Sequence, residues 1–338
     1  FFFKQKTAYE IRNCDWSSDV CSSDLSHPVA ALMSEPLRKL GIRSILVAHG
    51  DIFDRPVGTY GRQLTTWYRW ATPRAYQRVD AIVSLSPAMQ SLAQRWLEGI
   101  AKTYLVPNSI DPAEIGINHA AKANSPQASV SVIGQPGVVD RQAIGSGLQE
   151  QDRSQPGKQL LFVGRVEPLK GLGTLLSSMA QLRKMGYPVT LHCVGSVKAS
   201  YEPELRHMIQ DLGIQSAVNF SPPVPRINLG KLYQSCSVLV VPSLSEPQAT
   251  VILEGMAAGC AIVASDVGGN GMMLDDGISG LLFPVNDVPS LTRCLQQLLE
   301  DVEAREALGA AAMRRFQTNF SREVLAPQLL QTIASILN

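Results

Sequence analysis

The chain contains 338 residues, of which 45% are hydrophobic, and its formal net charge at pH 7 is +1. A balance this close to neutral argues against nucleic acid as a partner, and no apolar run reaches the roughly 20 residues that a membrane-spanning helix needs. The cysteines beyond residue 25 have no Cys-x-x-Cys spacing, which favours buried reduced thiols in a cytoplasmic protein over a zinc site or disulfides.

Residues 1–25 show no periodic pattern and lack the basic and apolar parts of a signal peptide. They resemble the translated read-through of a sequencing adapter, so we interpret them as a non-native artefact. On this interpretation the natural beginning of the protein is missing, and the first domain is incomplete.

Residues 26–112 alternate short apolar runs with helical periodicity, which predicts a partial parallel α/β domain. The predicted strands are SILVAHG, AIVSLS and the start of KTYLVPNSID, and PAMQSLAQRWLEG predicts a helix. Residues 113–157 are rich in Gly, Ser, Gln and Pro without a sustained period, which predicts a flexible linker or insertion.

The segment GRQLTTWYRWATPRAYQR combines aromatic and arginine side chains. We favour burial of its aromatic face in the first domain, because aromatic side chains usually fill cores. The alternative is peripheral contact with an anionic membrane surface, where a lipid-linked acceptor would be found.

Residues 158–321 predict a fuller parallel domain, with strands over QLLFVGRV, VTLHCVGS, AVNFSPPV, SVLVVPS, AIVASDVGG and SGLLFPV. Ligands of open parallel sheets bind outside the carboxyl ends of the strands, so the loops after these strands form the candidate site. If the rims of the two domains face each other, they form a cleft. A final helix is predicted over SREVLAPQLLQTIASIL, which begins one residue before the last segment of the chain, residues 322–338.

The stretch VGRVEPLKG follows the first strand of the larger domain and ends where a helix is predicted to begin. Arg165 and Lys170 are close in sequence here, and two cations beside a helix N-terminus suit a phosphate or diphosphate. Its spacing matches neither a dinucleotide-binding nor a P-loop motif. Two solvated surface charges are the alternative.

The stretch SEPQATVILEGMAAG places Glu246 before a helix that is predicted to begin near Pro247. Glu254 lies eight positions further on, roughly 12 Å along the helix axis. One helix would then bind a sugar at Glu246, phosphates at its first amides and a ribose diol near Glu254. The alternative for Glu254 is a surface charge, but its apolar neighbours indicate a buried helix, where a carboxylate needs a partner.

These motifs resemble family 4 glycosyltransferases. SEPQATVILEGMAAGCAIVASDVGG resembles the family signature with its paired glutamates, and LLFVGRVEPLKGLGTLLSSMAQL resembles the donor-phosphate loop. VPNSID and DDGISGLLFPVND resemble two further family segments, so that the resemblance extends over residues 26–338 apart from the linker. It implies an α/β fold of two Rossmann-like domains around a cleft, the B-type glycosyltransferase fold, with a last helix that crosses back to the first domain.

The resemblance also implies a hexosyltransferase-type activity. A sugar would pass from a nucleotide-diphosphate sugar to a glycan, a lipid-linked acceptor or a small molecule, with retention of anomeric configuration. Polysaccharide biosynthesis in the cytoplasm or at the inner face of the cell membrane fits such an activity. The chain contains no Asp-x-Asp, so neither a metal-chelated diphosphate nor another cofactor is expected, and cations with a helix dipole would stabilise the departing charge.

The resemblance also implies roles for the residues that stand at matching positions of the family motifs. Arg165 and Lys170 would hold the donor diphosphate, Glu246 would contact the donor sugar, and Glu254 would hold the ribose. His49 matches a first-domain histidine near the reacting sugar. The other donor-side positions are Gly164, Ala249, Thr250, Gly268 and Gly269.

Two departures from the family pattern affect the identity of the donor sugar. Gln248, Ala249 and Thr250 stand where Phe-Gly-Leu is usual, and residues 270–272 are Asn-Gly-Met where Ile-Pro-Glu is frequent. Two other functions stay open at this stage. One is a sugar-nucleotide epimerase on the same architecture, and the other is an inactive fragment that binds nucleotide sugars.

Overall fold

The computed structural model describes residues 39, 45–48, 80–97, 102–117 and 159–337, and the fold is reported for these residues. In the first part of the chain, β1 (Ile45–Ala48), β2 (Ala81–Ser84) and β3 (Lys102–Leu105) form a parallel sheet in that order. Helix α1 (Pro87–Leu97) connects β2 to β3. The strands and the helix lie where the sequence predicts them.

A larger parallel sheet follows, built from β4 (Gln159–Val163), β5 (Thr190–Val194), β6 (Val218–Ser221), β7 (Val238–Val241), β8 (Ala261–Ser265) and β9 (Leu281–Phe283). The strand order is β6-β5-β4-β7-β8-β9. The chain runs outward from β4 through β5 to β6, then returns to the middle and continues from β7 to the opposite edge. The switch point of the sheet therefore lies between β4 and β7, and ligands bind at such points in open α/β sheets.

Helices cover both faces of this sheet. They are α2 (Leu172–Lys184), α3 (Glu202–Asp211), α4 (Leu229–Ser235), α5 (Thr250–Ala258), α6 (Asn270–Met273), α7 (Val288–Glu300), α8 (Val302–Asn319) and α9 (Arg322–Leu337). Alternate residues of β4 face the two helical layers on opposite sides of the sheet. Leu160 and Phe162 pack among the buried residues of α2 and α7, whereas Leu161 packs among those of α5 and α8. This arrangement confirms the predicted α/β class.

Helix α8 is absent from the sequence-based predictions. Its apolar stretch consists largely of glycine and alanine, which give a weak helical pattern. The small residues serve close packing: a Cβ on Gly309 would lie 2.2 Å from the carbonyl oxygen of Gly259, at the end of α5.

The segment that follows β3 packs against the larger sheet. Ile110 and Ile115 are buried in the same apolar cluster as α5, and Ile110 forms a parallel bridge with Ser321. The carboxylate of Asp111 accepts from the amide of Ala113 and pairs with Arg322 at 3.0 Å. Residues from the end of the small sheet therefore complete the core on one face of the large sheet.

Candidate functional site

The loops after β4 and β7 are in direct backbone contact at the switch point. The first contains a 3₁₀ turn, Pro168–Lys170, and the amide of Leu244 in the second donates to the carbonyl of Leu169 at 2.8 Å. Gly171 has a φ of 66°, and a Cβ at this position would lie 1.8 Å from the carbonyl oxygen of Pro242. This approach requires glycine, because another residue would clash with the facing backbone.

Lys170 and Glu246 join these two loops through their side chains. Nζ of Lys170 donates to Oε2 of Glu246 at 2.6 Å, and the hydroxyl of Ser243 donates to the same oxygen at 3.3 Å. The Glu246 side chain is 10% exposed and that of Lys170 is 28% exposed. A charge-assisted bond with this little solvent is stronger than an ion pair in water, and it fixes both side chains at the carboxyl ends of the central strands.

Arg165 projects from the same loop as Lys170 but has a different partner. Its Nη2 lies 3.3 Å from Oε1 of Glu167, and the arginine side chain is 58% exposed. Gly164, which directly follows β4, has a φ of 142°, and its carbonyl oxygen would be 2.0 Å from a Cβ on Gly195. The structure thus brings Lys170 and Glu246 into contact and leaves Arg165 at the rim of the same loop.

Helix α5 begins at Thr250, with Ala249 as its cap, so the prediction of a start near Pro247 is wrong. Residues before Thr250 are held out of the helix by the loop after β8. A Cβ on Gly268 would lie 1.6 Å from the carbonyl oxygen of Glu246, and one on Gly269 would lie 2.4 Å from that of Pro247. The first amides of α5 consequently belong to Thr250 and its successors, and helix N-terminal amides are suited to anions.

Glu254 lies inside the fold and has the buried partner that its apolar neighbours indicate. It is 4% exposed, its Oε2 accepts from the hydroxyl of Tyr233 at 2.6 Å, and its Oε1 lies 3.2 Å from Nη2 of Arg226. Burial raises the pKa of the Glu254 carboxyl, and the Arg226 guanidinium and the Tyr233 hydroxyl act in the opposite direction.

Three side chains near the site have contacts that the sequence did not predict. Tyr233 and Arg226 hold Glu254, and Oε1 of Gln248 accepts from the amide of Asn108 at 2.7 Å, which joins the β3 segment to the loop before α5. The apolar setting of Glu254 predicted a partner but gave no means to identify it. His49 and the aromatic-arginine segment lie outside the described residues.

Within the described ranges, no group of three or more His, Cys, Asp or Glu side chains is placed to hold a metal ion. In the same part of the chain, no helix has both the length and the apolar character that a membrane crossing requires.

Comparisons with known proteins define the class. Residues 148–315 match the family model described as glycosyl transferases group 1, and residues 11–114 match that of glycosyltransferase family 4. The second match begins inside the segment that we interpret as non-native. A D-inositol 3-phosphate glycosyltransferase of Kribbella flavida is 32% identical over 324 residues, which cover 89% of this chain and 73% of that protein. The chain belongs to family 4 of the glycosyltransferases.

Other relatives match over shorter stretches. Enzymes with the same name from Paenarthrobacter aurescens and Frankia alni are 30% and 36% identical, over 65% and 53% of this chain. These matches cover 54% and 47% of the two relatives, so the chain spans about half their length.

Solved structures support the fold. The sucrose-phosphate synthase of Thermosynechococcus elongatus superimposes with a TM-score of 0.72 at 22% identity, over 92% of this chain and 72% of that one. HepE of Anabaena in complex with UDP gives a TM-score of 0.70 at 18% identity, over 93% of this chain and 81% of that one. The family membership and these neighbours confirm the predicted architecture of two Rossmann-like domains.

Proposed function

We propose that this chain transfers a sugar from a nucleotide-diphosphate sugar to an acceptor, with retention of anomeric configuration. The observation that carries the proposal is the contact between Lys170 and Glu246 at the switch point between β4 and β7. A cation and a carboxylate held side by side match the two ends of the reacting bond. The cation suits the departing phosphate, and the carboxylate suits the sugar on which positive charge develops.

The proposed donor site runs along the loops at the carboxyl ends of the strands. Lys170 and Arg165 bind the diphosphate, together with the first amides of α5 from Thr250 onward and the cap residue Ala249. Glu246 accepts hydrogen bonds from the sugar hydroxyls, and Glu254 binds the ribose. Gly164, Gly268 and Gly269 are proposed to line the donor, since their backbones lie close to neighbouring loops at this edge of the sheet. His49 is proposed to contribute from the first domain.

Solved neighbours suggest which donors to test first. HepE of Anabaena has been solved with UDP and with UDP-glucose, so uridine nucleotides are the first choice for the donor. The curated relatives carry the name D-inositol 3-phosphate glycosyltransferase, so a phosphorylated polyol is the first small-molecule acceptor to test beside glycans and lipid-linked sugars. Peripheral contact with the membrane stays a prediction.

A transfer assay with a panel of nucleotide sugars and acceptors tests the proposal. We expect nucleoside diphosphate release that depends on the acceptor, and a product whose anomeric configuration, followed by NMR, equals that of the donor. Glu246→Gln should lower kcat about 100-fold or more, since it removes charge stabilisation at the reacting carbon. Glu202→Gln, at an exposed pair with Arg206 on α3, is the matched control.

The assay also separates the other two functions. Epimerisation of the donor sugar without transfer would favour the epimerase. Tight binding of a nucleoside diphosphate with no turnover, in a chain of confirmed integrity, would favour the binding fragment. Either result would contradict the proposed activity.

A further inference from the structure

Arg226 is shared between two carboxylates that come from different parts of the chain. Its Nη2 lies 3.2 Å from Oε1 of Glu254 on α5, and its Nε lies 3.6 Å from Oε2 of Glu114 in the segment after β3. The arginine side chain is 36% exposed, whereas that of Glu254 is 5% exposed. One partly exposed cation therefore faces a deeply buried carboxylate on one side and a solvated carboxylate on the other.

Glu254 depends on its partners to stay charged. A carboxylate this deeply buried is destabilised as an ion unless donors and cations surround it. Tyr233 donates to Oε2, which leaves Oε1 to the guanidinium of Arg226. The carboxyl is thus held by one donor at each oxygen, and the remaining lone pairs of the two oxygens share a fixed plane.

We propose that Arg226 is a positioning residue that holds Glu254 as an ionised, oriented acceptor for the vicinal hydroxyls of the donor nucleotide, and that Glu114 competes for its charge. This inference rests on the proposed function, in which Glu254 binds the ribose. A diol presents two O–H donors, so its binding requires two acceptor oxygens at a fixed spacing. Protonation of Glu254 would turn one acceptor into a donor and would weaken the bond to one hydroxyl.

The groups around Glu254 act on its charge in opposite directions. Burial raises the pKa of the Glu254 carboxyl most, Arg226 and Tyr233 lower it, and Glu114 raises it. Tyr233 keeps its proton at working pH because burial and the neighbouring Glu254 charge raise its pKa. The thiols of Cys236 and Cys260 donate to the backbone carbonyl of Tyr233. Their hydrogen bonds are directed to the backbone and not to the carboxylate.

A direct titration tests the network without any ligand. The carboxyl carbons of glutamate are labelled with ¹³C in the whole chain, and the Glu254 signal is assigned by its loss in Glu254→Gln. Relative to the unsubstituted chain, we expect the pKa of Glu254 to rise in Arg226→Met, to stay nearly unchanged in Arg226→Lys, and to fall in Glu114→Gln. The opposite signs of the first and last variants separate this network from a general loss of structure. A midpoint that is the same in all of them overturns the inference.

Nucleotide binding tests the positioning role. UDP, GDP and ADP are titrated calorimetrically, and the one that binds is compared with its 2′-deoxy analogue. We expect Arg226→Met to lose about tenfold in affinity for the ribonucleotide and to lose its preference over the deoxy form, with recovery as the pH rises. Arg226→Lys should retain both properties, and Arg206→Met, an exposed arginine on α3, should change neither.

The outcomes distinguish this inference from the function on which it rests. If none of the nucleotides binds to the normal chain, the proposed function fails, and the role of Arg226 in ligand binding fails with it. If a ribonucleotide binds and Arg226→Met keeps the full preference over the deoxy analogue, the proposed function stands and the positioning role is overturned.

Discussion

Lys170 and Glu246 are 76 residues apart in sequence, yet their charged atoms lie 2.6 Å from each other. The contact arises because β4 and β7 are neighbours in the sheet, so the loops that leave their carboxyl ends meet. The chain between them builds β5 and β6 on one side before it returns to the centre. Sheet topology therefore assembles the pair.

The first prediction concerns Lys170→Met in the transfer assay. Loss of the cation removes the group that stabilises the departing phosphate, and we expect kcat to fall about 100-fold to 1,000-fold. Lys170→Arg should recover part of the loss because it restores the charge. The exposed Lys184→Met, at the end of α2, should leave kcat unchanged. Equal activity of Lys170→Met and Lys184→Met would disprove the role.

The second prediction concerns the approach of the two loops at Gly171. Gly171→Ala puts a Cβ 1.8 Å from the carbonyl oxygen of Pro242 and also strains a φ of 66°. Gly277→Ala strains a similar φ of 74°, but nothing lies within 4 Å of its Cβ. We expect Gly277→Ala to lower the free energy of unfolding by about 1–2 kcal/mol, from strain alone.

The difference between the stability losses of these two variants measures the cost of the steric clash apart from the backbone strain. Gly171→Ala should cost about 4 kcal/mol or more, since the facing atom is backbone and cannot rotate away. Urea denaturation of the two variants measures both values. Equal losses would show that the loops can separate without cost.

The sequence predicts strands well but long-range contacts poorly. The strands of the large sheet are apolar runs with turns at their ends, which is the pattern of strands buried on both faces. The same pattern does not specify that β4 pairs with β7, because pairing depends on the whole chain path. Lys170 and Glu246 could accordingly be chosen as site residues, whereas their direct contact could not.

One local prediction failed for an identifiable reason. Proline favours the first turn of a helix, which predicts a start near Pro247. The backbone of Gly268 and Gly269 packs against residues 246–248 and keeps them out of the helix, so α5 starts at Thr250. The link between Arg226 and Glu254 could not be predicted, because it depends on the fold that brings the 3₁₀ turn Arg226–Asn228 beside α5.

The third prediction concerns the pH dependence of stability through Tyr233. Burial raises the pKa of Glu254 above its unfolded value, so folding takes up a proton and the free energy of unfolding falls as pH rises between the two values. Tyr233→Phe removes a hydrogen bond that lowers this pKa. The pH range over which stability falls, between the unfolded and folded pKa values of Glu254, therefore extends to higher pH. Its destabilisation should be smallest below the unfolded pKa and reach about 1–3 kcal/mol at neutral pH.

A second buried tyrosine provides the control for this experiment. Tyr201 packs on the opposite face of the sheet. Tyr201→Phe should lower the free energy of unfolding by an amount that does not change with pH over the same range. Thermal or urea unfolding at several pH values measures both variants. A Tyr233→Phe penalty that is constant with pH would show that the hydroxyl does not influence the ionisation of Glu254.

The last prediction concerns Gln248, which joins the segment after β3 to the loop before α5. Its Oε1 accepts from the amide of Asn108 at 2.7 Å, and the residue is 4% exposed. Gln248→Leu removes the acceptor, and a net hydrogen bond of about 1 kcal/mol corresponds to exchange of the Asn108 amide about fivefold to tenfold faster. The amide of Glu114 donates to the carbonyl of Asp111 and serves as the internal reference. Faster exchange at Asn108 alone would identify a local bond, equal acceleration at both amides would indicate that the whole segment detaches, and no change at either would contradict the bond.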